Sequence, residues 1–553
     1  MKKELCVFIF IVSFCVVLSA DWVNEQKVVA SDGVLCDEFG CSVSISGNFA
    51  VVGVEGDDDL GEDSGSAYIY HLDGSIWIEQ QKLTASDGSA GDRFGSSVSI
   101  SGNYALIGSP DDDDNGESSG SVYIFHYDGS SWIEQQKLTA SDGDVQDIFG
   151  FSVSISGNYI VVGAIKDDDN GENSGSVYIY HYDGSSWIEQ QKLTASDGDV
   201  QDIFGFSVSI SVNYIVVGVP KDDDNGNASG SAYIFQYNGS NWIEQQKITT
   251  SDGFFFDEFG YSVSISGNYA LIGSPHDDDN GESSGSVYIF HFDGSSWIEQ
   301  QKLVASDGEC YDFFGISVSL SGDFALIGAY EGSINFPDQG SAYIFYNNGS
   351  NWVEQQEIEA SDIAHDWFGS SVSISNDNVI IGAPGSNDFA SNSGSAFFYE
   401  NRSFVNGNVS GTWTYAESPY YIDGEINIQV GNVLSIEPGV EVIIDGHYKF
   451  NVYGRLLAEG TETDKIHFTI SDTTGFANSD TTAGGWLGLR FYDTETNGQD
   501  SSRLSYCLIE YGKAIGTYPD NFGGGVYCSN SSDIVFEECS IAVSYTHLTL
   551  PTN

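Results

Sequence analysis

The stretch from Trp132 to Ser186 displays the pattern that governs most of the chain. Trp132 to Leu138 alternates between apolar and polar residues, and Ser152 to Ser156 alternates with Val153 and Ile155 on one face. Tyr159 to Val162 is a continuous apolar run, and Val177 to Tyr182 is rich in aromatic residues. A period of two over four to seven residues predicts a strand, so this stretch predicts four strands and no helix. Gly157-Asn158 and Asp183-Gly184 supply the positive-φ positions that tight hairpins need.

The pattern recurs. Phe-Gly pairs begin at Phe39, Phe94, Phe149, Phe204, Phe259, Phe314 and Phe368, at steps of 55 residues and a last step of 54. A tryptophan keeps the same step from Trp22 through Trp77, Trp132, Trp187, Trp242 and Trp297 to Trp352. Four short strands repeated seven times predict a β-propeller with one sheet per blade. The seventh unit ends after Ser395 to Tyr399 with no tryptophan strand behind it, whereas the chain begins on one. Trp22 to Val29 is therefore expected to complete blade seven and close the ring. Glutamates such as Glu134 are expected to discourage edge pairing with other chains.

The motif F-G-x-S-V-S-I-S-G-N-Y, followed by an apolar run, D-D-D-N-G-x-x-S-G-S and A/V-Y-I-F, resembles FG-GAP repeats, the units of the integrin α-chain propeller, in a form common in secreted bacterial proteins. The resemblance covers about 380 residues and implies an extracellular interaction scaffold. It departs from integrins at their calcium loop, because the connection between the first two strands is only Ser-Gly-Asn, as at Ser101-Gly102-Asn103. Integrin-style calcium sites do not carry over.

Export is read from the N-terminus. Lys2 and Lys3 precede an apolar run from Leu5 to Leu18 and then Ser19-Ala20, the order of a secretory signal peptide cleaved after Ala20. The run is too short to span a bilayer, which takes roughly 20 apolar residues. Cys36, Cys41, Cys310, Cys507, Cys528 and Cys539 remain after cleavage, too sparse for a disulfide framework; a local Cys36–Cys41 bridge suits an oxidising compartment.

Composition adds the charge. With 81 Asp and Glu against 18 Lys and Arg, the 553-residue chain carries −63, which excludes nucleic acid and anionic membrane as main partners. In Trp77 to Ser131, seven of nine acids fall in the Phe-Gly and D-D-D-N-G connections, which emerge at one face of a four-stranded blade. The ring is expected to carry an acidic annulus, weakest where Glu331-Gly332-Ser333 and Gly385-Ser386-Asn387-Asp388 replace the acidic run. Asp111, Asp113 and Asn115, with Gly116, fit the first half of a D-x-D-x-[DN]-G loop and are the residues expected to hold calcium, if any do. In later blades Lys166, Lys221 or His276 takes the first ligand position, so a solvated acidic turn or adaptation to high salt stands beside calcium. No catalytic or cofactor-binding residue is assigned, since near-identical blades offer no singular constellation. His71, His126, His181 and His291 are expected at strand ends, and Asn-Gly-Ser at Asn238 and Asn348 reads as a glycosylation sequon or as a hairpin turn.

After Arg402 the repeat stops. Short β segments follow at Ile426–Ile428, Val433–Ile436, Val440–Ile444, Lys449–Val452, Arg455–Leu457 and Ile466–Ile470. NVLSIEPGVEVIIDG, GGWLGLRFYD and GGGVYCSNSSDIVFEECSI resemble coils of a right-handed parallel β-helix, as in surface proteins and polysaccharide lyases. Cys507 and Cys528, close to one coil period apart, read as a stacked ladder or as a disulfide. SYTHLTLPTN at Ser544 to Asn553 abandons the pattern and resembles read-through of a sequencing adapter. The expected organisation is all-β: a signal peptide at 1–20, a seven-bladed propeller at 21–402, a partial β-helix at 403–543 and a non-native tail at 544–553. The expected function is a secreted or cell-surface binding or adhesion scaffold whose acidic face meets an extracellular protein or glycan, with no membrane insertion of the mature chain. The alternative is a carbohydrate-active enzyme, a polysaccharide lyase or hydrolase, with its chemistry in the β-helix around Arg490, Asp493, Glu495 and Arg503 and the propeller as a targeting module.

Overall fold

The computed structural model describes residues 19–542, except 75, 331–339, 362–366, 389, 416–417, 472, 475, 477–480, 493–500, 515–523 and 530–533. The signal-peptide run, the Glu331-Gly332-Ser333 replacement and the tail from Ser544 lie outside the described residues. Trp22–Glu400 forms one compact unit, and the chain from Asn401 onward belongs to a second.

Trp22–Glu400 is a seven-bladed propeller. In the blade that holds Trp132, the strands Ser97–Ser101, Tyr104–Ser109, Ser121–Tyr127 and Trp132–Leu138 pair antiparallel in that order. Blade and sequence repeat are thus offset by one strand: the tryptophan strand that opens each repeat closes the blade before it. The same offset leaves Ser371–Ser375, Asn378–Ala383 and Ser395–Phe404 without a following tryptophan strand, and Ser19–Val28 pairs with the last of them. The N-terminal strand completes blade seven, as its repeat phase requires.

Each apolar core lies between two blades. Val51, Ile69 and Leu83 of one blade pack with Phe94, Ile107, Tyr123 and Trp132 of the next, and the last seam joins Phe39 and Tyr68 to Ile380 and Phe398. The recurring glycines serve this seam. The glycine of the second strand faces the Phe-Gly carbonyl of the next blade, and a Cβ on Gly108 would overlap the Gly150 oxygen.

Polar clamps run along the same seams. Gln136 Nε2 donates to the Trp187 carbonyl at 2.8 Å and Gln136 Oε1 accepts the Trp187 N–H at 2.9 Å. The same reciprocal pair joins every successive outer strand, and the final one links Gln356 to Trp22 at 2.9 and 2.8 Å. Gln136 reaches its neighbour because its strand bulges: Ile124 faces Gln136 and Phe125 faces Glu134, so Gln135 is left out of the pairing. Glu134, expected as an edge guard, instead accepts the N–H and hydroxyl of Ser86 at 3.0 and 2.8 Å and fixes the turn entering its own blade.

The unit from Asn401 builds three parallel sheets. One stacks Ile426–Ile428, Phe450–Val452, Leu489–Tyr492 and Val526–Ser529; the second Val433–Ile436, Arg455–Glu459, Ser502–Ser505 and Ile534–Glu537. The third holds Tyr420–Ile422, Glu441–Ile444, Ile466–Ile470 and Cys507–Ile509. Three parallel sheets around the shared core of Ile428, Leu434, Val442, Phe468 and Leu489 make a partial β-helix. The Cys507–Cys528 stack does not form: Cys507 faces Ile466 in the third sheet, and Cys528 faces Phe491 in the first. Cys36 and Cys41 are separate thiols.

Each clamp carries two hydrogen bonds, so Gln191→Ala should lower the unfolding free energy by about 1–3 kcal/mol. Deleting residues 21–29 removes a whole strand and the closing clamp, and should lower Tm far more than deleting residues 544–553. Equal melting of the two truncations would show that the ring closes some other way.

Candidate functional site

The acid of the D-D-D-N-G loop is organised around a lysine. Lys137, on the outer strand, places Nζ 2.9 Å from Asp87, 2.9 Å from Asp112 and 2.6 Å from Asp114. It lies over the Tyr123 ring at 5.0 Å, and the Tyr123 hydroxyl donates to Asp87 and Asp112 at 2.7 and 2.8 Å. Lys82, Lys192, Lys247 and Lys302 repeat the arrangement, each with three aspartates between 2.6 and 3.0 Å. Burial works against each ammonium, but the carboxylate hydrogen bonds outweigh it and hold the lysine above its ordinary pKa. The shared cluster also places both acidic connections at one face, as strand order predicts.

The residues expected for calcium do not converge. Asp111 faces Arg93 at 3.6 Å, Asp113 accepts the Ser118 N–H at 2.7 Å, and the Asn115 N–H donates to Ser119 at 3.3 Å. The convergent pair is one residue along, Asp112 and Asp114, and its cation is the lysine. Among the described residues no group of three or more His, Cys, Asp or Glu is arranged to hold a metal ion.

Blades six and seven depart together with their loops. In blade seven Lys27 meets Asp388 at 2.5 Å over the Phe397 ring, with Ser386 where blades one to five have the buried aspartate. In blade six Glu357 replaces the lysine, and Ser341 and Tyr343 donate to it at 3.0 and 3.5 Å while Tyr343 also donates to Asp307 at 3.1 Å. Burial first and the neighbouring Asp307 next push Glu357 above the usual carboxylate range.

Around the axis the blades differ. The residue before each Phe-Gly is Glu38, Arg93, Ile148, Ile203, Glu258, Phe313 or Trp367, and the described φ values there are all positive. The residue after it includes Phe151, Phe206 and Tyr261, whose rings follow one another at 5.2 and 4.8 Å across three blades. Glu55, Arg93 and Asp111 face Ile148, Phe151 and Phe206 across a cavity of about 440 Å³. Burial raises the Glu55 pKa, with Arg93 opposing and Asp111 adding to the rise. Farther round, Lys221 pairs with Glu258, and His276 lies 3.6 Å from the same carboxylate and edge-on to Phe313.

Other candidates are structural. His126, His181 and His291 pack on Tyr104, Tyr159 and Tyr269 at 4.7 to 4.8 Å. Asn238 Oδ1 accepts the N–H groups of Ser240 and Asn241, a turn that Asp183 makes in another blade. In the β-helix unit Arg490 is fully buried over Tyr527, whereas Arg503 is exposed on a different sheet, so the structure does not bring the two together; Asp493 and Glu495 lie outside the described residues.

Seven four-stranded blades, a Phe-Gly turn packed in every seam and a closing N-terminal strand define a β-propeller of the class that serves binding and scaffold roles. The FG-GAP repeat profile matches residues 22–70, 77–125, 132–180, 187–235, 242–290, 297–345 and 352–399, more than half of the chain, which therefore belongs to the FG-GAP repeat family. No curated protein matches the chain. Among solved structures it is similar to Saccharomyces cerevisiae Sqt1, at 12% identity and a TM-score of 0.38, over 69% of this chain and 99% of that one.

Lys137→Met strands three carboxylates, and should cost about 2–4 kcal/mol, between the limits for exposed and buried ion pairs. Because lysine already occupies the carboxylates, calcium and ionic-strength-matched sodium should raise Tm equally; an excess for calcium that Asp111→Asn with Asp113→Asn removes would restore those residues as ligands.

The buried carboxyls of Asp92, Asp147, Asp202 and Asp257 are pushed up to about 6, first by burial. They bind protons in the folded chain at a pH where the unfolded chain, with an ordinary value of 3.8, does not. That contribution is present below 3.8 and is lost as pH rises through about 6. Asp87, Asp142, Asp197 and Asp252 act in the opposite sense: burial opposes the charge, but bonds from tyrosine and lysine hold them below the usual range. Tm should therefore rise from about pH 7.5 to about pH 5 and fall below about pH 4, and Asp92→Asn should flatten the rise.

Proposed function

We propose that the chain is an exported binding scaffold, secreted or held at the cell surface, whose propeller offers its acidic face to an extracellular protein or glycan. One observation carries this reading. In blades that are otherwise near copies, the residues that change cluster around the axis at that face, where Glu55, Arg93 and Asp111 oppose Phe151 and Phe206. Residues that build seams and clusters are repeated; residues free of those duties vary there. FG-GAP repeats are typical of extracellular proteins, and no helix among the described residues is long and apolar enough to cross a membrane. The acidic clusters are partly neutralised from within, so specificity falls to the unrepeated rim and the summed negative charge steers partners toward it.

The test is a glycan array and a panel of purified extracellular proteins read by surface plasmon resonance, comparing the whole chain with Phe151→Ser/Phe206→Ser. A ligand should appear whose affinity falls at least tenfold in the variant. No ligand for the acidic face would contradict the reading.

A further inference from the structure

The connection entering blade five carries Phe254, Phe255 and Phe256 at its tip, 66%, 54% and 59% exposed. The fold explains the middle ring only. A Cβ on Gly226 of the preceding acidic loop would meet the Phe255 ring, and in other blades Val145 and Val200 fill the same place against Gly116 and Gly171. Phe254 and Phe256 stand where those blades carry Asp144 or Asp199 and Gln146 or Gln201. Their backbones keep the common turn: the Phe254 N–H donates to Asp257 at 2.6 Å and the Phe256 N–H to the Asn227 carbonyl at 2.9 Å. Two polar residues have been exchanged for phenylalanine: the turn keeps these two bonds, but the carboxylates of Asp144 and Asp199 also accept the next N–H at 2.8 and 2.7 Å, a bond that Phe254 gives up.

The surroundings are acidic. Beside the tip, Asp197, Asp222 and Asp224 share the single ammonium of Lys247 and Asp223 lies in the same acidic run, leaving these five residues at −3, and Lys221 is already paired with Glu258. Phe254 and Phe255 meet edge to face, 5.1 Å apart at 74°, so the tip is a knob and lacks the flat ring platform on which a sugar stacks. A second copy of a chain carrying −63 would bring like charge to like, and so would an anionic membrane.

Resting on the reading of the acidic face as the binding face, we propose that the Phe254–Phe256 knob is the anchor for a partner protein that offers an apolar pocket rimmed by lysine and arginine. Exposed aromatic anchors ringed by polar contacts are the common form of an interface hot spot. The aspartates around the knob pair with the basic rim and set the approach, and the rings fill the pocket.

A phage-displayed library of random 12-residue peptides, panned on the whole chain, tests this against Phe254→Asp/Phe256→Gln, which installs the residues of the sister blades. The variant should keep the wild-type Tm. Clones enriched on the wild type should be rich in lysine, arginine and aliphatic residues, lose at least tenfold in affinity on the variant, and weaken as salt is raised. Clones that bind the variant equally, or that lack basic residues, overturn the proposal. Clones lost instead on Phe151→Ser/Phe206→Ser overturn it while leaving the acidic face as the binding face. Variant-sensitive binding to phosphatidylcholine vesicles, or variant-sensitive dimerisation in sedimentation, overturns it in favour of a membrane or a second copy.

Discussion

An ammonium held among three carboxylates above an aromatic ring is the interaction on which the acidic face depends. Two carboxylates 4 Å apart repel by about 1 kcal/mol even in bulk water, and more where burial lowers the dielectric. The D-D-D-N-G loop crowds such groups against the aspartate of the neighbouring turn, and Asp112 is 3% exposed. Lys137 removes the conflict by joining Asp87, Asp112 and Asp114 to one charge, and its companions do so in four further blades. The loops and the outer strand are thereby held together at the face where the chain differs from blade to blade.

Division of labour follows from that arrangement. Gln–Trp clamps, seam glycines and lysine clusters recur because each satisfies a demand present in every blade. The rim around Glu55, Arg93 and Phe151, and the Phe254–Phe256 tip, meet no such demand. Repetition marks the frame, and departure from repetition marks the surface free to recognise something.

Much of the frame was legible in the sequence. Phe-Gly spacing gave the number of blades, the missing last tryptophan strand gave the closure, and segments such as Ile426–Ile428 and Ile466–Ile470 coincide with strands of the β-helix. In the acidic loop the spacing is ambiguous by one residue. A D-x-D spacing fits Asp111 and Asp113 as well as Asp112 and Asp114, and the partner that decides between them, Lys137, lies 25 residues on from Asp112 across two strands. Comparison among the repeats held the missing signal: where the lysine becomes Glu357, the acidic run is absent from the same blade. The role of Glu134 escaped for a related reason, since its partner Ser86 is 48 residues away. Stacking of Cys507 failed because a helix coil is defined by its three sheets and not by a fixed count of residues.

Whether lysine neutralises the repeated acid is decided by the reactivity of the amines themselves. Limited acetylation of the folded chain at neutral pH, quantified residue by residue by mass spectrometry, compares Lys82, Lys137, Lys192, Lys247 and Lys302 with Lys166, which is exposed. An ammonium held among carboxylates seldom becomes a free amine, so the five should react at least tenfold more slowly than Lys166, with or without calcium. Equal rates for all six, or protection that falls away when calcium is added, would show that the lysines are not the cations of these clusters.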